Sequence, residues 1–250
     1  MKTIQKHSFS SFSKVIALPL PLLILILLGS QTAQAVQVPV GAIDFSNPVN
    51  PNQEIGWNLA DVVDGNIVTE KSVQSGWSIA GFTDQSNYLQ LNVGIPPTNL
   101  NPGQSIDYYT FNISLYYSWD EDHAASAFTL SSSNDGINFL QITDILSAST
   151  NNANTELTFD SAGNFTATEP ADGDPLEVHN VEFNVATDIT HLRFNVGPDA
   201  GWSDLNNVTL SELTGTASAE VVPEPSTYAL IAGLTCFAWV FALRRKRLQA

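Results

Sequence analysis

Ile106-Asp-Tyr-Tyr-Thr-Phe-Asn-Ile-Ser-Leu-Tyr-Tyr117 is the stretch of the chain in which apolar and polar residues alternate most clearly. One side of the alternation carries aromatic and aliphatic residues, namely Tyr109, Phe111, Ile113, Leu115 and Tyr117. Successive side chains of a β-strand point to opposite faces of a sheet, so a period of two indicates a strand with one buried face. The stretch therefore predicts a long strand whose apolar side faces a hydrophobic core.

Shorter segments with similar alternation lie on both sides of this strand. They cover residues 88–93, 127–130, 155–159, 178–185, 191–196 and 207–210. Turn signals rich in Asn, Asp, Gly and Pro separate them, and no long stretch has helical periodicity. About eight short strands with this spacing predict an all-β sandwich.

Nearly all the basic charge lies at the two ends of the chain. Between residues 36 and 222 only Lys71 and Arg193 are basic and 24 residues are acidic, so the formal charge is 2 − 24 = −22. Nucleic-acid binding is excluded for this region, because phosphate contacts require Lys and Arg. Cys236 is the only cysteine and lies outside the region, which therefore has no disulfides.

The N-terminus has the three parts of a secretory signal peptide. Basic residues Lys2, Lys6 and Lys14 precede an apolar run over 15–28, and Ala33-Gln34-Ala35 matches the small-residue cleavage pattern. The sequence predicts a signal peptide over residues 1–35, cut by signal peptidase after Ala35. The alternative is an uncleaved anchor helix.

The C-terminus also has three parts. Pro223-Glu224-Pro225-Ser226 comes first, an uncharged apolar run covers 227–243, and Arg244-Arg245-Lys246-Arg247 follows. The prolines favour a stiff extended segment. The apolar run is at the short end of what spans a bilayer as a helix, and the basic block is expected to stay cytoplasmic. These features alone are compatible with an ordinary single-pass anchor.

The order of these three parts resembles the PEP-CTERM sorting signal of Gram-negative bacteria. The resemblance implies that an exosortase, a membrane protease or transpeptidase, recognises Pro223–Ser226 and that the tail 223–247 is removed near this motif. The protein would then be released or attached at the cell surface. Proteins with this signal commonly accompany exopolysaccharide production, so the resemblance also implies an association with biofilms. We expect Gly215–Val222, which consists mostly of small residues, to be a linker between a domain over 36–214 and this tail.

A second resemblance covers most of residues 58–213. The motifs are Asn58 to Asn66 with Thr69 and Trp77, the run Tyr88–Gly94, the hairpin Ser133-Asn-Asp-Gly-Ile-Asn-Phe139, and the run Ile189–Val196. Their order resembles the discoidin-like, or coagulation factor 5/8 C-type, galactose-binding-like jelly roll. This resemblance implies an all-β jelly-roll sandwich with Trp77 in its core.

One loop of this region is a candidate calcium site. Asp64, Asn66 and Thr69 place three oxygen-bearing side chains around Gly65, and hard cations such as Ca²⁺ prefer several oxygen ligands. The family resemblance adds Glu212 of the last strand as a fourth ligand. The alternative is a turn in which the Asp and Asn side chains bond their own backbone.

The acidic segment Trp119-Asp120-Glu121-Asp122-His123 is the candidate for catalysis. Paired carboxylates beside a tryptophan could hydrolyse glycosides, but consecutive residues point in different directions, so a solvated acidic loop is favoured. We therefore expect no catalytic residues. Trp119 and Trp202, beside turn-like stretches, are candidate contacts for a sugar ring. The resulting prediction is an exported, non-catalytic protein that binds carbohydrate, with a glycan-active enzyme or a purely structural matrix protein as alternatives.

Overall fold

The structure is a computed structural model that describes residues 35–51, 57–67, 76–79, 87–117, 124–152, 155–168, 177–197, 208–223 and 231–241. The chain divides into two units, one over residues 35–222 and the other formed by the two ends, 1–34 and 223–250. The predicted signal peptide, apart from Ala35, lies outside the described residues.

The larger unit consists of strands and one short 3₁₀ helix, Leu59–Val63. Within the described ranges we number thirteen strands: β1 (Val36–Ala42), β2 (Asp44–Val49), β3 (Trp77–Ile79), β4 (Asn87–Gly94), β5 (Gln104–Tyr117), β6 (Ala127–Ser133), β7 (Leu140–Gln141), β8 (Ile145–Thr150), β9 (Leu157–Phe159), β10 (Asn164–Ala167), β11 (Glu177–Val185), β12 (His191–Val196) and β13 (Val208–Pro223).

These strands form two antiparallel sheets. Sheet A has the order β1-β13-β5-β11-β8, with β3 paired to β13, and sheet B has the order β2-β4-β12-β6-β10-β9, with β7 paired to β6. The chain repeatedly crosses between the sheets, from β4 to β5 to β6 and again from β10 through β11 and β12 to β13, as in a jelly roll. The predicted all-β architecture with two antiparallel sheets is confirmed.

The long alternating strand lies at the centre of sheet A. The apolar side chains of β5 are buried as predicted, and β11 matches them across the sheet, with Phe111 opposite Phe183 and Ile113 opposite Val181. Burying each such side chain contributes about 1.5–3 kcal/mol. The pairing of these two strands therefore builds one wall of the core.

Trp77 connects the two sheets. Its fully buried ring meets the ring of Phe194 on β12 edge-on, with centroids 5.4 Å apart. The preceding residue, Gly76, has φ +98°, and a Cβ there would lie 2.2 Å from the backbone oxygen of Leu210. Only glycine fits so close to β13, and this close approach positions Trp77 in the core, where we expected it.

The predicted linker Gly215–Val222 is not a linker. It forms the second half of β13 and pairs with β1, with Val36 opposite Val221 and Val38 opposite Ala219. Alternate side chains of the segment, Ala217, Ala219 and Val221, are buried in the core. The larger unit therefore extends to residue 222 rather than ending at residue 214.

Part of the predicted sorting tail is described. Pro223 is the last residue of β13, whereas Glu224 to Ser226 and the basic block Arg244–Arg247 lie outside the described residues. Residues 231–241 are helical and expose large apolar side chains, among them Leu234 and Phe237. None of the described helices is long and apolar enough to cross a membrane.

Candidate functional site

The loop after the 3₁₀ helix is closed by its own side chains. Asn66 donates to Asp64 twice, from its backbone N–H to Oδ1 at 2.8 Å and from its side-chain amide to Oδ2 at 3.1 Å. This is the local turn that we considered as the alternative to a calcium site. The local turn and a calcium site are compatible, because the carboxylate oxygens of Asp64 retain lone pairs for a cation.

Glu212 of β13 lies at the same loop. Its Oε2 accepts a hydrogen bond from the N–H of Gly65 at 3.1 Å, and the residue is only 2% exposed. Burial raises the pKa of Glu212 to about 7, and the negative charge of Asp64 acts in the same direction. Three of the four candidate calcium ligands are described, and the backbone link to Gly65 connects Glu212 to their loop, while Thr69 lies outside the described residues.

The donor chemistry at this loop suits a hard cation. The two carboxylates and the amide oxygen of Asn66 are all oxygen donors, which is the donor type that Ca²⁺ prefers. In the described part of the chain, however, no three His, Cys, Asp or Glu side chains come together in a way that could hold a metal ion. A calcium ion here would therefore need amide or backbone oxygens in addition to Asp64 and Glu212.

The hairpin between β6 and β7 is built around Asp135. Its carboxylate accepts hydrogen bonds from the Ser133 hydroxyl, the N–H groups of Ile137 and Asn138, and the Asn138 side chain, at 2.7–2.9 Å. The backbone N–H groups of Asn138 and Ile137 are the main reason why the pKa of Asp135 is far below its usual range. The hairpin that we predicted from Asn-Asp-Gly is therefore strongly held by local bonds.

Gly136 allows this hairpin to approach β12. Its φ is +73°, and a Cβ would lie 2.8 Å from the imidazole ring of His191. With the turn held at this position, the next residues lead into β7, which pairs with β6 in sheet B. Phe139 is thereby placed over Arg193, the second outward-facing residue of β12.

Arg193 is held between two aromatic rings. The guanidinium carbon lies 3.7 Å from the ring centroid of Phe139 and 4.0 Å from that of Tyr88, and Nη2 donates to Gln90 Oε1 at 2.7 Å. Burial of the guanidinium lowers the pKa of Arg193 from its ordinary value. Cation–π contacts of this kind contribute about 0.5–1 kcal/mol each at exposed sites. They produce a flat, rigid ledge on the outer face of sheet B.

An open pocket of about 390 Å³ adjoins this ledge. Its lining has polar side chains from three neighbouring strands, Thr129, Asn164, Thr166 and Asn195. Phe128 and Phe165 alternate with them, and their side chains are buried on the core side of the sheet. The Asn195 amide donates to Ser131 Oγ at 3.0 Å, and Ser131 lies opposite Arg193 in the sheet. Pocket and ledge are thus one continuous surface, which we call the outer-face site.

The sequence candidates for ligand contact cannot be placed relative to this surface. Trp119, Trp202 and the acidic segment 120–123 lie outside the described residues. Sequence reasoning missed Tyr88, Arg193 and Asn195, although each alternates with buried residues in its strand and so had to point outward. Phe139 belongs to the hairpin motif Ser133–Phe139, but nothing in the sequence indicated that its ring covers an arginine.

No family model and no curated protein matches the chain. Solved structures do match at low identity. A carbohydrate-binding module from a family 31 glycoside hydrolase of Clostridium perfringens is 13% identical, with a TM-score of 0.38 over 70% of this chain and 90% of its own. A chain of the Streptococcus pneumoniae β-galactosidase is 11% identical, with a TM-score of 0.42 over 69% and 96%.

A third match is a Clostridium perfringens module crystallised with GalNAc-β-1,3-galactose. It is 13% identical, with a TM-score of 0.35 over 68% of this chain and 93% of its own. At TM-scores below 0.5, these matches identify neither the family nor the ligand of this chain.

Proposed function

We propose that this chain is an exported, non-catalytic protein of the bacterial envelope or extracellular matrix that binds carbohydrate at the outer-face site. The observation that carries the proposal is the open pocket beside the Tyr88–Arg193–Phe139 ledge. Its volume falls within the range of small-molecule pockets, about 300–1,000 Å³.

The chemistry of the pocket suits sugar hydroxyls. The side chains of Asn164 and Asn195 can each donate and accept hydrogen bonds, and the hydroxyls of Thr129 and Thr166 can do the same. A sugar ring also has an apolar face, for which the partly exposed rings of Tyr88 and Phe139 on the ledge provide a surface. The site therefore combines the two kinds of contact that a neutral saccharide requires.

A glycan array probed with the full chain in mild detergent tests this proposal. For a glycan that binds, we expect Asn195→Ala to weaken affinity by about tenfold, since one hydrogen-bonding group is worth roughly 1 kcal/mol or more. Asn112→Ala is the matched control, because Asn112 is exposed on the outer face of sheet A. The absence of any bound glycan, or an equal loss in both variants, would contradict the proposal. Turnover of a polysaccharide that is lost in Asp120→Asn would instead identify the enzyme considered above.

The C-terminal tail would act as a sorting signal. Pro223-Glu224-Pro225-Ser226, the apolar run and the basic block support recognition by an exosortase after signal peptidase has acted at the other end. The protein would then reach the surface of a Gram-negative cell, where it could associate with extracellular polysaccharide. Mass spectrometry of the exported protein should find a C-terminus near residues 223–226. An intact Arg244–Arg247 block on that protein would show instead that the tail is an ordinary membrane anchor.

Calcium would bind at the Asp64–Glu212 loop and stabilise the sandwich. The buried carboxyl group of Glu212, which the Gly65 N–H links to the loop of Asp64, supports this assignment. Millimolar calcium should raise the melting temperature of the full chain after chelator treatment, and Glu212→Gln should remove most of that increase. An unchanged melting temperature in the presence of calcium would contradict the assignment.

A further inference from the structure

Buried polar groups without partners are concentrated at one end of sheet A. Tyr117, the last residue of β5, lies opposite Glu177, the first residue of β11, and His179 follows on the same face of β11. All three side chains are fully buried. In the described part of the chain, the phenol oxygen, both carboxylate oxygens and both imidazole nitrogens lack a hydrogen-bond partner.

Among the described residues, the imidazole of His179 is the ionisable group that lies beside the carboxylate of Glu177. His179 Nε2 lies 3.3 Å from Glu177 Oε1 without forming a well-aligned hydrogen bond. The ring of Phe128 stacks on the imidazole with centroids 5.8 Å apart, and the Tyr117 ring meets it edge-on at 4.7 Å. A buried carboxylate in such an environment is strongly unfavourable unless a cation or several hydrogen bonds compensate it.

The imidazole is suited to act as an electron-pair donor here. Both nitrogens of its ring are buried and lack a hydrogen-bond partner among the described residues. In the neutral form of the ring, one nitrogen has a free lone pair. A single group that could satisfy the carboxylate, the imidazole and the phenol together is a small cation.

We propose that Tyr117, Glu177 and His179 bind a divalent transition-metal cation of the zinc class. Tetrahedral zinc has bonds of about 2.0–2.2 Å to nitrogen and oxygen, so two of its ligand atoms lie about 3.3 Å apart. The Nε2–Oε1 separation of 3.3 Å has this value. The mixed nitrogen and oxygen donors favour such a cation over calcium, which prefers oxygen alone.

The site lies at one end of sheet A. Tyr117 and Glu177 are terminal residues of their strands, so the site lies at the ends of β5 and β11 rather than at mid-strand. Three protein ligands leave one tetrahedral position for water. The site is also separate from the oxygen-only loop at Asp64 and Glu212, which would bind a different class of ion.

Metal binding to the full chain in mild detergent is the primary test. After chelator treatment and equilibrium dialysis against zinc chloride, we expect one zinc ion per chain. Glu177→Gln and His179→Gln should weaken binding by about tenfold or more, since each removes a ligand. Glu182→Gln is the matched control: Glu182 is on the same strand, is only half-buried, and accepts a hydrogen bond from Ser147. Failure of the wild type to bind zinc, or wild-type affinity in both ligand variants, would overturn the proposal.

A spectroscopic test separates a ligand role from a merely structural one. Co²⁺ in place of Zn²⁺ should give the visible absorption of a tetrahedral nitrogen–oxygen site in the wild type and in Glu182→Gln. Tyr117→Phe, which removes only the phenol oxygen, should change this spectrum while keeping the β-sheet circular dichroism, so that the test remains valid if Glu177→Gln fails to fold. Without any cation at the site, Glu177→Gln should be more stable than the wild type and zinc should have no effect, which would refute the proposal.

Discussion

The exposed carboxylate of Asp135 accepts four hydrogen bonds, whereas the buried carboxylate of Glu177 accepts none from the described residues. The usual expectation is the opposite, because a buried charge needs partners far more than a solvated one. All four donors to Asp135 come from residues within three positions of it in the chain. Glu177 lies in a regular strand, where the neighbouring backbone N–H groups are directed sideways to the adjacent strands.

The two carboxylates have different structural roles. Asp135 organises a turn, and everything it needs is local. Glu177 is fully buried, and its carboxylate lies 3.3 Å from Nε2 of His179. A carboxylate that is buried in this way costs stability unless a cation or several hydrogen bonds compensate it.

The largest expected effect comes from breaking the Glu177–His179 pair. In chelator-treated protein, His179→Leu should lower the free energy of unfolding by about 3–5 kcal/mol, because it removes the ionisable partner that lies 3.3 Å from the buried carboxylate. The double variant Glu177→Leu/His179→Leu should recover most of this loss, since an apolar pair of similar volume needs no partner. Urea unfolding followed by tryptophan fluorescence measures both. A double variant that is as unstable as the single one would show that the two side chains are not coupled.

A smaller effect is expected at the turn that Asp135 organises. Gly136→Ala should lower the free energy of unfolding by about 1–2 kcal/mol, because alanine is strained at positive φ and its Cβ meets the His191 ring. Gly197→Ala is the control, since Gly197 has no positive φ and open space around it. The same unfolding assay compares the two. Equal stability of the two variants would mean that the turn can relax away from β12.

Acid titration should distinguish Asp135 from an ordinary surface carboxylate. Its pKa is lower in the folded than in the unfolded chain, so the unfolded chain binds more protons between the two values and stability falls with falling pH. The contribution is complete above the ordinary pKa of 3.8 and is lost as the pH drops below it. Melting temperatures between pH 5 and pH 2 should therefore fall more steeply for the wild type than for Asp135→Asn. Parallel curves would contradict this account.

The smallest expected effect is at the ledge beside the hairpin. Arg193→Lys keeps the charge but replaces the planar group between Tyr88 and Phe139, and should cost about 1 kcal/mol. The effect is expected because Lys cannot stack on both rings. Denaturant unfolding measures the change in the free energy of unfolding. A variant as stable as the wild type would show that the rings hold the hairpin without help from the guanidinium.

The sequence predicted the central strands because their pattern is local. In β4, β5, β11 and β12, apolar residues alternate over enough positions to specify one buried face. Strands β1, β2, β3, β7, β8 and β10 were missed. Of these, β1 and β8 form the edges of sheet A and β2 an edge of sheet B, and each of the three keeps exposed residues on both faces or contains Pro or Gly.

The segment Gly215–Val222 illustrates the limit of composition as a guide. Its small residues suggested a flexible linker, but β1 supplies a partner that is more than 170 positions away. One signal was present, because Ala217, Ala219 and Val221 alternate with polar residues. Alanine is too small for such a pattern to be decisive without the neighbouring strand.

The sequence by itself determined the class of fold, the position of the Asp135 turn, the Asp64–Asn66 turn and the acidic character of the body. Each of these depends on residues close together in the chain, where strand periodicity and turn chemistry act directly. Only the tertiary structure decided that Arg193 lies between Tyr88 and Phe139, that residues 215–222 complete a sheet, and that Glu177 and His179 face inward. Those outcomes depend on which strands become neighbours. The identity of a polar residue in an alternating strand does not show which face of the sheet it will occupy.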